Sequence, residues 1–225
     1  MITASEETDR TVPAIRALSA FLSSPFCPNP NTVISIDTFR ASVARAAVEA
    51  GAHVVNDVSG GLLDEEMLPT VAELGCTVVL MHMRGTVETM GSVENTSYRD
   101  GLIETVGAEL LARVRAAEAA GVRRWRIILD PGIGFSKTQA QNLELLRRFE
   151  ELRNWEGLRG FPWLIGASRK GFIGKITGVK EARERTWGTA AVVAASVQGG
   201  ADVVRVHDVD EMVKVVKMAD AIWRV

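Results

Sequence analysis

The sequence has little of several features that mark particular classes of protein. It contains two cysteines, Cys27 and Cys76, with no CxxC pair, so neither a disulfide framework nor a zinc site is expected. No apolar run approaches the about 18 residues that span a bilayer. The N-terminal stretch "MITASEETDR" is acidic and polar, unlike a secretory signal or an Arg-rich transit peptide. These absences predict a soluble, cytoplasmic protein with reduced thiols.

An excess of charge of either sign is also missing. Lysine and arginine number 26 against 28 acidic residues, and the two signs are interspersed, so neither a nucleic acid nor a membrane is expected as a partner. The chain has 225 residues, of which 47% are hydrophobic. That is enough for one sizeable core, and a single domain over residues 1–225 is predicted.

Short, nearly continuous apolar runs are present, as expected for strands that are covered on both faces. They are "TVISID" (32–37), "HVVNDV" (53–58), "TVVLMHM" (77–83), "WRIILD" (125–130), "WLIGAS" (163–168) and "ADVVRVHD" (201–208). Longer amphipathic stretches alternate with them and predict helices at 5–22, 41–52, 63–76, 98–120, 141–154, 181–200 and from 209 onward. This alternation is typical of a parallel α/β sheet, either doubly wound or closed into a (β/α)8 barrel.

Each predicted strand turns polar at its carboxyl end. The polar ends are Asp37-Thr38, Asn56-Asp57, His82, Asp130, Ser168 with Arg169-Lys170, and Arg205 with His207-Asp208. All strand ends of a barrel meet at the rim that holds the active site, whereas a doubly wound sheet uses two or three strands at one switch point. The pattern therefore favours a TIM barrel.

Some of these polar residues have structural explanations that remain open. A lone Asp after a strand often caps a helix, His82 is readable as a core histidine with satisfied hydrogen bonds, and Ser168 is a candidate cap for a helix starting at Arg169. Arg205 and His207 are different. They are two positions apart among Val203, Val204 and Val206, so they share one face of a strand predicted to be buried, and burial of an unpaired charge is costly. They therefore need a partner.

Two further stretches concern anion binding. "LDPGIGFSK" (129–137) is glycine-rich but has Lys137 at the third glycine position of the dinucleotide fingerprint, and it lacks the Walker ending. "GASRKGFIGK" (166–175) puts two cations at a strand-to-helix turn. Cations oppose the helix dipole there, which favours an anionic or carbonyl-rich ligand beside the helix N–H groups.

The motifs together resemble the dihydropteroate synthases, within the wider family of pterin-binding barrels. The resembling segments run in order along the chain: "ISIDTFR" (34–40), "VVNDVSG" (54–60), "VLMHMRG" (79–85), "ILDPGIGFSK" (128–137), "GASRKGFIG" (166–174) and "VVRVHDV" (203–209). The resemblance implies a transferase of folate synthesis that condenses 6-hydroxymethyl-7,8-dihydropterin pyrophosphate with p-aminobenzoate, giving dihydropteroate and pyrophosphate.

The resemblance also implies a role for individual residues. Lys170, Arg205 and His207 are the expected catalytic residues, and the last two hold the pyrophosphate. The p-aminobenzoate site is expected at Phe135, Ser168 and Gly171, where the glycine offers only backbone N–H groups. The expected pterin-binding residues are Asp37, Asn56, Met81, Asp130, Phe135, Gly166 and Lys170.

The sequence departs from the family pattern at its beginning. It has six candidate strands, and it lacks the "NVTPDSF"-type loop, whose Asn binds Mg²⁺, and the "GGEST"-type loop. Mg²⁺ is thus an expected cofactor with no expected metal ligand in this chain. A barrel without two of its eight strands cannot close, so residues 32–37 and 201–208 are predicted to be exposed edges of an N-terminally incomplete domain. Such a domain is expected either to be poorly soluble alone or to complete itself with another segment.

Other functions remain open at this point. The chain is also readable as a pterin-binding fragment without catalysis, as a folate-dependent methyltransferase domain, or as a Schiff-base aldolase whose nucleophile is a Lys170 of lowered pKa. A homodimer and a larger multifunctional folate-synthesis polypeptide are both compatible with the resemblance. The expected location is cytoplasmic, or mitochondrial if a preceding segment carries a transit peptide.

Overall fold

A computed structural model of the chain describes residues 2–224, which form two compact units. The first unit extends to Met81 and also contains Ala112–Ile128. The second contains His82–Leu111 and the residues from Leu129 onward. The helix Leu102–Ala119 and the strand Ile127–Asp130 each begin in one unit and end in the other.

The elements follow the alternation predicted from the sequence. The helices, numbered in chain order, are α1 Ala4–Leu22, α2 Ala41–Glu49, α3 Met67–Leu74, α4 Leu102–Ala119, α5 Gln139–Arg147, α6 Phe149–Arg153, α7 Gly171–Thr177, α8 Thr186–Gln198 and α9 Val209–Trp223. The strands are β1 Ser35–Asp37, β2 Val54–Asp57, β3 Thr77–Met81, β4 Ile127–Asp130, β5 Leu164–Ile165 and β6 Val203–Val204.

The sheet of the first unit has the order β1-β2-β3-β4, and β4 contributes its first two residues to this unit. The pairs β1–β2 and β2–β3 are parallel, and Asp37 lies directly beside Asn56 in the register. Its core is rich in small and branched side chains, which let helices lie close to strands. Val43, Ala47, Val55 and Val78 are fully buried.

In the second unit β5 pairs with β6 in parallel, with Leu164 beside Val203 and Ile165 beside Val204. The core is built around Trp163, whose indole meets the ring of Phe149 edge-on at 5.5 Å. Both side chains are almost completely buried. Such an edge-to-face contact adds about 1 kcal/mol to the burial of the two rings.

Several sequence predictions are corrected by the structure. Every strand is shorter than its apolar run. The predicted helix 141–154 is divided into α5 and α6 at Arg148, whose backbone is not helical. The predicted helix 181–200 becomes a 3₁₀ turn at Ala182–Glu184 followed by α8. The helix after β5 begins at Gly171 rather than Arg169, because Arg169 has a positive φ of 61° that a right-handed helix does not tolerate.

The apolar pattern of "ADVVRVHD" predicts a buried strand, which is wrong, whereas the exposed edge predicted at residues 201–208 agrees with the structure. Only Val203 and Val204 form a strand, and Val203 is 40% exposed. Arg205 and His207 are exposed as well. Among the strands that the structure describes, only β5 pairs with β6, so one long side of the segment has no strand to cover it.

Candidate active site

The candidate residues of the first unit lie at the carboxyl ends of β1 and β2. The Asn56 amide donates from Nδ2 to Asp37 Oδ1 at 2.6 Å. Asn56 is buried and Asp37 is exposed, so the pair presents a carboxylate to solvent and anchors it on a buried amide. The parallel register that sets these two residues side by side makes the contact possible.

Met81 and Asp57, in the same unit, are placed differently. Met81 ends β3 with its side chain buried, and its carbonyl oxygen accepts a hydrogen bond from the buried guanidinium of Arg113. Asp57 accepts hydrogen bonds from the N–H and hydroxyl of Ser59 and from Gly61 N. Burial nevertheless raises the pKa of Asp57. Asp57 therefore has a structural role, because its carboxylate organises the turn after β2.

Asp130, at the end of β4, is a buried carboxylate of the second unit. Its Oδ1 accepts a hydrogen bond of 2.7 Å from Gly132 N. Burial raises the pKa of Asp130, while the positive charges of Lys170, Lys137 and Arg205 act in the opposite direction. A Cβ atom at Gly166 would lie 3.9 Å from Oδ2, so the absence of a side chain there leaves that oxygen uncovered on the Gly166 side.

Lys170 lies close to Asp130 and to Phe135. Its ammonium donates to the carbonyl oxygen of Ile133 and lies 4.4 Å from the centre of the Phe135 ring. Burial lowers the pKa of Lys170 to about 8, although Asp130 acts to raise it. The carboxylate of Asp130 favours the charged form of the lysine. Desolvation is the larger effect, because the amine sits among backbone and ring atoms rather than in water.

Phe135, Lys170 and Gly171 line a common cavity of about 260 Å³. Lys137 and Lys175 lie on its wall as well, so the cavity is bordered by three lysines. The structure thus brings together two of the residues expected at a p-aminobenzoate site, and the lysines supply positive charge for a carboxylate. Ser168, the third expected residue, does not line this cavity.

The glycine-rich loop, residues 130–137, is held from inside by Lys137. The buried ammonium donates to the carbonyl oxygens of Gly132 at 3.2 Å and Phe135 at 3.0 Å. It also lies 3.0 Å from His82 Nδ1. Each of the three N–H groups of the ammonium therefore has an acceptor. Through these bonds the lysine fixes the backbone that carries Asp130 and Phe135. This role of Lys137 was not predicted from the sequence, although a lysine that ends a glycine-rich loop was the available signal.

Two glycines allow the loop to adopt this shape. Gly132 has φ +71°, and a Cβ atom there would collide with the carbonyl oxygen of His82. Gly134 has φ +82°, and a Cβ atom would lie 2.7 Å from Lys170 Cδ. The glycines are thus required for close approach to the backbone of His82 and to Lys170, rather than for a dinucleotide.

His82 is a core histidine, which confirms the structural interpretation. Because an ammonium can only donate, Lys137 makes Nδ1 the acceptor and leaves the proton on Nε2, which faces Glu109 Oε2 at 2.9 Å. Arg84 also binds Glu109, at 2.5 Å from Nη2 to Oε1. Burial alone acts to raise the pKa of Glu109, but the hydrogen bonds from His82 and Arg84 outweigh it and lower the pKa to about 2.

The ends of β5 and β6 are joined by side chains, which we call the strand-end pairs: Ser168 with His207, and Arg169 with Asp208. The Ser168 hydroxyl lies 3.0 Å from His207 Nδ1. The Arg169 guanidinium binds both carboxylate oxygens of Asp208 and lowers the pKa of that carboxyl. The proposal that Ser168 caps the following helix is wrong, because Lys170 occupies the cap position of α7 without a side-chain hydrogen bond.

Arg205 is oriented by the same sheet. Its N–H donates to Ile165 O at 2.9 Å, and its Cβ lies 3.8 Å from the position that a Cβ at Gly166 would take. Its charge acts on both Asp130 and Lys170. The predicted residues Asp130, Gly166, Lys170 and Arg205 are therefore neighbours in the second unit.

Among residues 2–224, no group of three or more His, Cys, Asp or Glu side chains is arranged to hold a metal ion. The described side chains therefore do not fit a magnesium site held by protein ligands alone. None of the helices in the described part of the chain combines the length and apolarity needed to cross a membrane.

Comparisons with known proteins identify relatives over almost the whole chain. Residues 1–207 match the family described as pterin binding enzymes. The chain is 50% identical to a folic acid synthesis protein of Pneumocystis carinii over 97% of its own length, but it spans only 28% of that relative. It is 47% identical to dihydropteroate synthase of Synechocystis, covering 97% of this chain and 71% of that protein.

A solved structure shows the same fold. Dihydropteroate synthase of Clostridium difficile, determined in the presence of pteroic acid, superposes with a TM-score of 0.88 at 35% identity. The match covers 100% of this chain and 77% of the other. The predicted fold class, the α/β TIM barrel, is confirmed by this similarity.

Proposed function

The chain belongs to the dihydropteroate synthase family of pterin-binding enzymes, and on that premise we propose that it takes part in the condensation of dihydropterin pyrophosphate with p-aminobenzoate. In this reaction the amine nitrogen of p-aminobenzoate forms a C–N bond to the pterin methylene. The C–O bond of that methylene breaks, pyrophosphate leaves with the electron pair, and the amine loses a proton. No protein nucleophile is required.

The observation that carries the proposal is the environment of Asp130. A buried carboxylate needs hydrogen-bond donors, and the described side chain receives one, from Gly132 N to Oδ1. The 2-amino group and ring N–H of a pterin supply two donors in the parallel geometry that a carboxylate accepts. The neighbouring Lys170 favours the charged form of Asp130 and is itself available to a pterin carbonyl.

Arg205 and His207 are assigned to the leaving group. Both are exposed at the end of β6, and their N–H groups are suited to pyrophosphate oxygens. Negative charge grows on those oxygens as the C–O bond breaks, so donors already in position favour the transition state over the ground state. Lys170 adds positive charge on the pterin side.

The other predicted residues are assigned either to p-aminobenzoate or to the pterin. Phe135, in contact with the Lys170 ammonium, and Gly171 border the cavity that we assign to p-aminobenzoate. Asp37, Asn56 and Met81, in the first unit, are proposed pterin contacts. Gly166 is proposed to give the pterin room beside Asp130. Ser168 was expected at the aminobenzoate, but its hydroxyl bonds to His207 instead, which supports a different role.

Two measurements test this function. Calorimetry with a dihydropterin pyrophosphate is expected to show binding, and Asp130→Asn is expected to weaken it by at least about 100-fold, because the amide is neutral and replaces one acceptor with a donor. Asp210→Asn, at an exposed carboxylate of α9, is the matched control. Equal affinity of Asp130→Asn and the native chain would contradict the assignment.

A steady-state assay with both substrates separates binding from catalysis. Turnover in the presence of Mg²⁺ supports the synthase, and pterin binding without turnover supports the binding fragment instead. Magnesium dependence, a homodimer, membership of a larger folate-synthesis polypeptide and a cytoplasmic location all stay predictions. Activity with and without added Mg²⁺, and light scattering of the purified chain, test the first two.

A further inference from the structure

The strand-end pairs continue the register of β5 and β6 beyond the last backbone pair. Ile165 lies beside Val204, and Arg205 N donates to Ile165 O at 2.9 Å. Ser168 and His207 are separated by 39 positions, as are Arg169 and Asp208, and this is also the separation of the paired strand residues. Side-chain bonds thus replace the backbone ladder at the end of the sheet where Arg205 and His207 are exposed.

Ser168 makes two hydrogen bonds, both with His207. The buried hydroxyl accepts from His207 N at 3.2 Å and lies 3.0 Å from His207 Nδ1. A hydroxyl has one proton to donate, and Nδ1 is its partner among the described residues. The Ser168 hydroxyl therefore donates to Nδ1, which makes that nitrogen the acceptor. In the opposite tautomer the buried hydroxyl proton would lose its acceptor.

The tautomer of His207 follows from this contact. With Nδ1 as acceptor, the proton of the neutral ring is on Nε2. Nε2 is the nitrogen farther from the backbone, and the side chain is exposed. The ring thus directs a donor outward, which is what recognition of an anionic oxygen requires even when the imidazole is uncharged.

The Arg169–Asp208 pair restrains the same segment. Asp208 follows His207 directly and is bound by the Arg169 guanidinium. Arg169 is itself held on both sides of its backbone, since its N–H donates to Thr189 Oγ1 at 3.1 Å and its carbonyl accepts from Arg185 at 2.8 Å. These bonds keep Arg169 in its left-handed conformation and leave the His207 backbone little freedom.

We propose that Ser168 is a positioning residue that sets the Nε2–H tautomer and the orientation of His207, so that the imidazole is a preformed hydrogen-bond donor for a pyrophosphate oxygen. The identity of the anion rests on the proposed function, whereas the tautomer does not. Ser168 touches no reacting atom and acts through His207.

Imidazole ¹⁵N spectra test the tautomer directly. The chain has three histidines, so selective ¹⁵N labelling gives few signals, and His207→Gln identifies the signals of that ring by their loss. At about pH 8.5 the native chain is expected to show protonated Nε2 and unprotonated Nδ1 for His207. A predominantly Nδ1–H ring in the native chain would overturn the proposal without any variant.

Two substitutions test the cause. Ser168→Ala removes the hydroxyl and is expected to give a mixture of tautomers at His207, whereas Ser168→Thr keeps the hydroxyl and is expected to retain the native spectrum. His82 is the internal control, because its Nδ1 partner is Lys137 and its signals should not change. An unaltered His207 spectrum in Ser168→Ala would refute the role of Ser168.

Affinity for inorganic pyrophosphate supplies the second readout. Ser168→Ala is expected to weaken it about fivefold, with pterin affinity unchanged, and Ser168→Thr to restore it. A tautomer change with unchanged pyrophosphate affinity would overturn the positioning role. If the native chain binds no pyrophosphate, the proposed function fails while the ring spectra still decide the tautomer.

Discussion

The glycine-rich loop and the strand-end pairs belong to the same unit and carry adjacent parts of the candidate site, but they are held in different ways. The loop is fixed from inside by the buried Lys137, which binds two carbonyl oxygens and His82. The ends of β5 and β6 are fixed by Ser168 with His207 and by Arg169 with Asp208, at a partly exposed surface. Both arrangements fix polar groups of the backbone or side chains at the candidate site.

The two regions differ in how much their hydrogen bonds contribute to stability and in which side chains those bonds position. When a buried donor is removed, water cannot reach its acceptors to replace the lost hydrogen bonds. When an exposed ion pair is broken, bonds to solvent largely replace it. The loop is therefore expected to behave as part of the core, although it carries residues that we propose to bind the substrates. The strand ends contribute less to stability, and their contacts are better explained by the orientation of His207 and Arg205.

The largest effect is expected from Lys137→Met. It leaves the carbonyl oxygens of Gly132 and Phe135 and the Nδ1 atom of His82 without their donor, at a cost of about 3 kcal/mol in the free energy of unfolding. Urea denaturation at neutral pH measures it. Lys175→Met, at an exposed lysine of α7, is the control and should change the free energy by less than about 0.5 kcal/mol. Equal values for the two variants would show that the loop is not held by its lysine.

The pH dependence of Lys170 is the next largest effect. Its pKa is about 8 in the folded chain against an ordinary 10.5, so its charged form is lost as the pH rises through 8. If the ammonium binds the pterin, kcat/KM falls about tenfold per pH unit above that point. Stability moves in the opposite direction, since the unfolded chain binds the extra proton between pH 8 and 10.5 and this group's contribution to stability therefore rises with pH.

Lys170→Arg separates these effects, because a guanidinium stays charged across the range. The falling limb of the activity profile should disappear in this variant, even if its maximal rate is lower. A limb that persists at the same pH would assign the titration to another group.

A smaller effect is expected for Arg169→Gln, which removes the paired bonds to Asp208. A decrease in Tm of about 2 °C is expected for the partly exposed pair, smaller still at high salt. The KM for the pyrophosphate substrate should rise more than kcat falls, because the segment carrying His207 is loosened. Arg10→Gln, which breaks an exposed pair with Glu6, is the control for both quantities. A decrease as large as that of Lys137→Met would remove the contrast between the two regions.

The smallest effect is expected for Gly166→Ala. The added Cβ would meet Arg205 Cβ at 3.8 Å and Asp130 Oδ2 at 3.9 Å, which are ordinary contacts. Tm should stay within about 1 °C, while pterin affinity falls about threefold if the ligand lies over this glycine. Thermal melts and calorimetry measure the two. A large decrease in Tm would mean that the glycine serves the fold rather than the ligand.

Sequence reasoning identified the polar residues at the strand ends because they follow apolar runs and match family motifs. It did not identify Lys137 as the residue that holds the loop, since its partner His82 is 55 positions away. Nor did it identify the left-handed backbone of Arg169, which depends on Thr189 and Arg185. Local patterns report the direction of side chains within one element, but contacts between distant elements are not encoded in any short window.

The sequence by itself determined the alternation of strands and helices, the positions of the polar strand ends and the family. Periodicity and turn residues are local properties, and family motifs can be recognised one segment at a time. The tertiary structure alone decided the direction of the Lys170 pKa, the left-handed backbone of Arg169, and the partner of Ser168. Desolvation and hydrogen bonding depend on every atom around a group, and those atoms come from residues far apart in the chain.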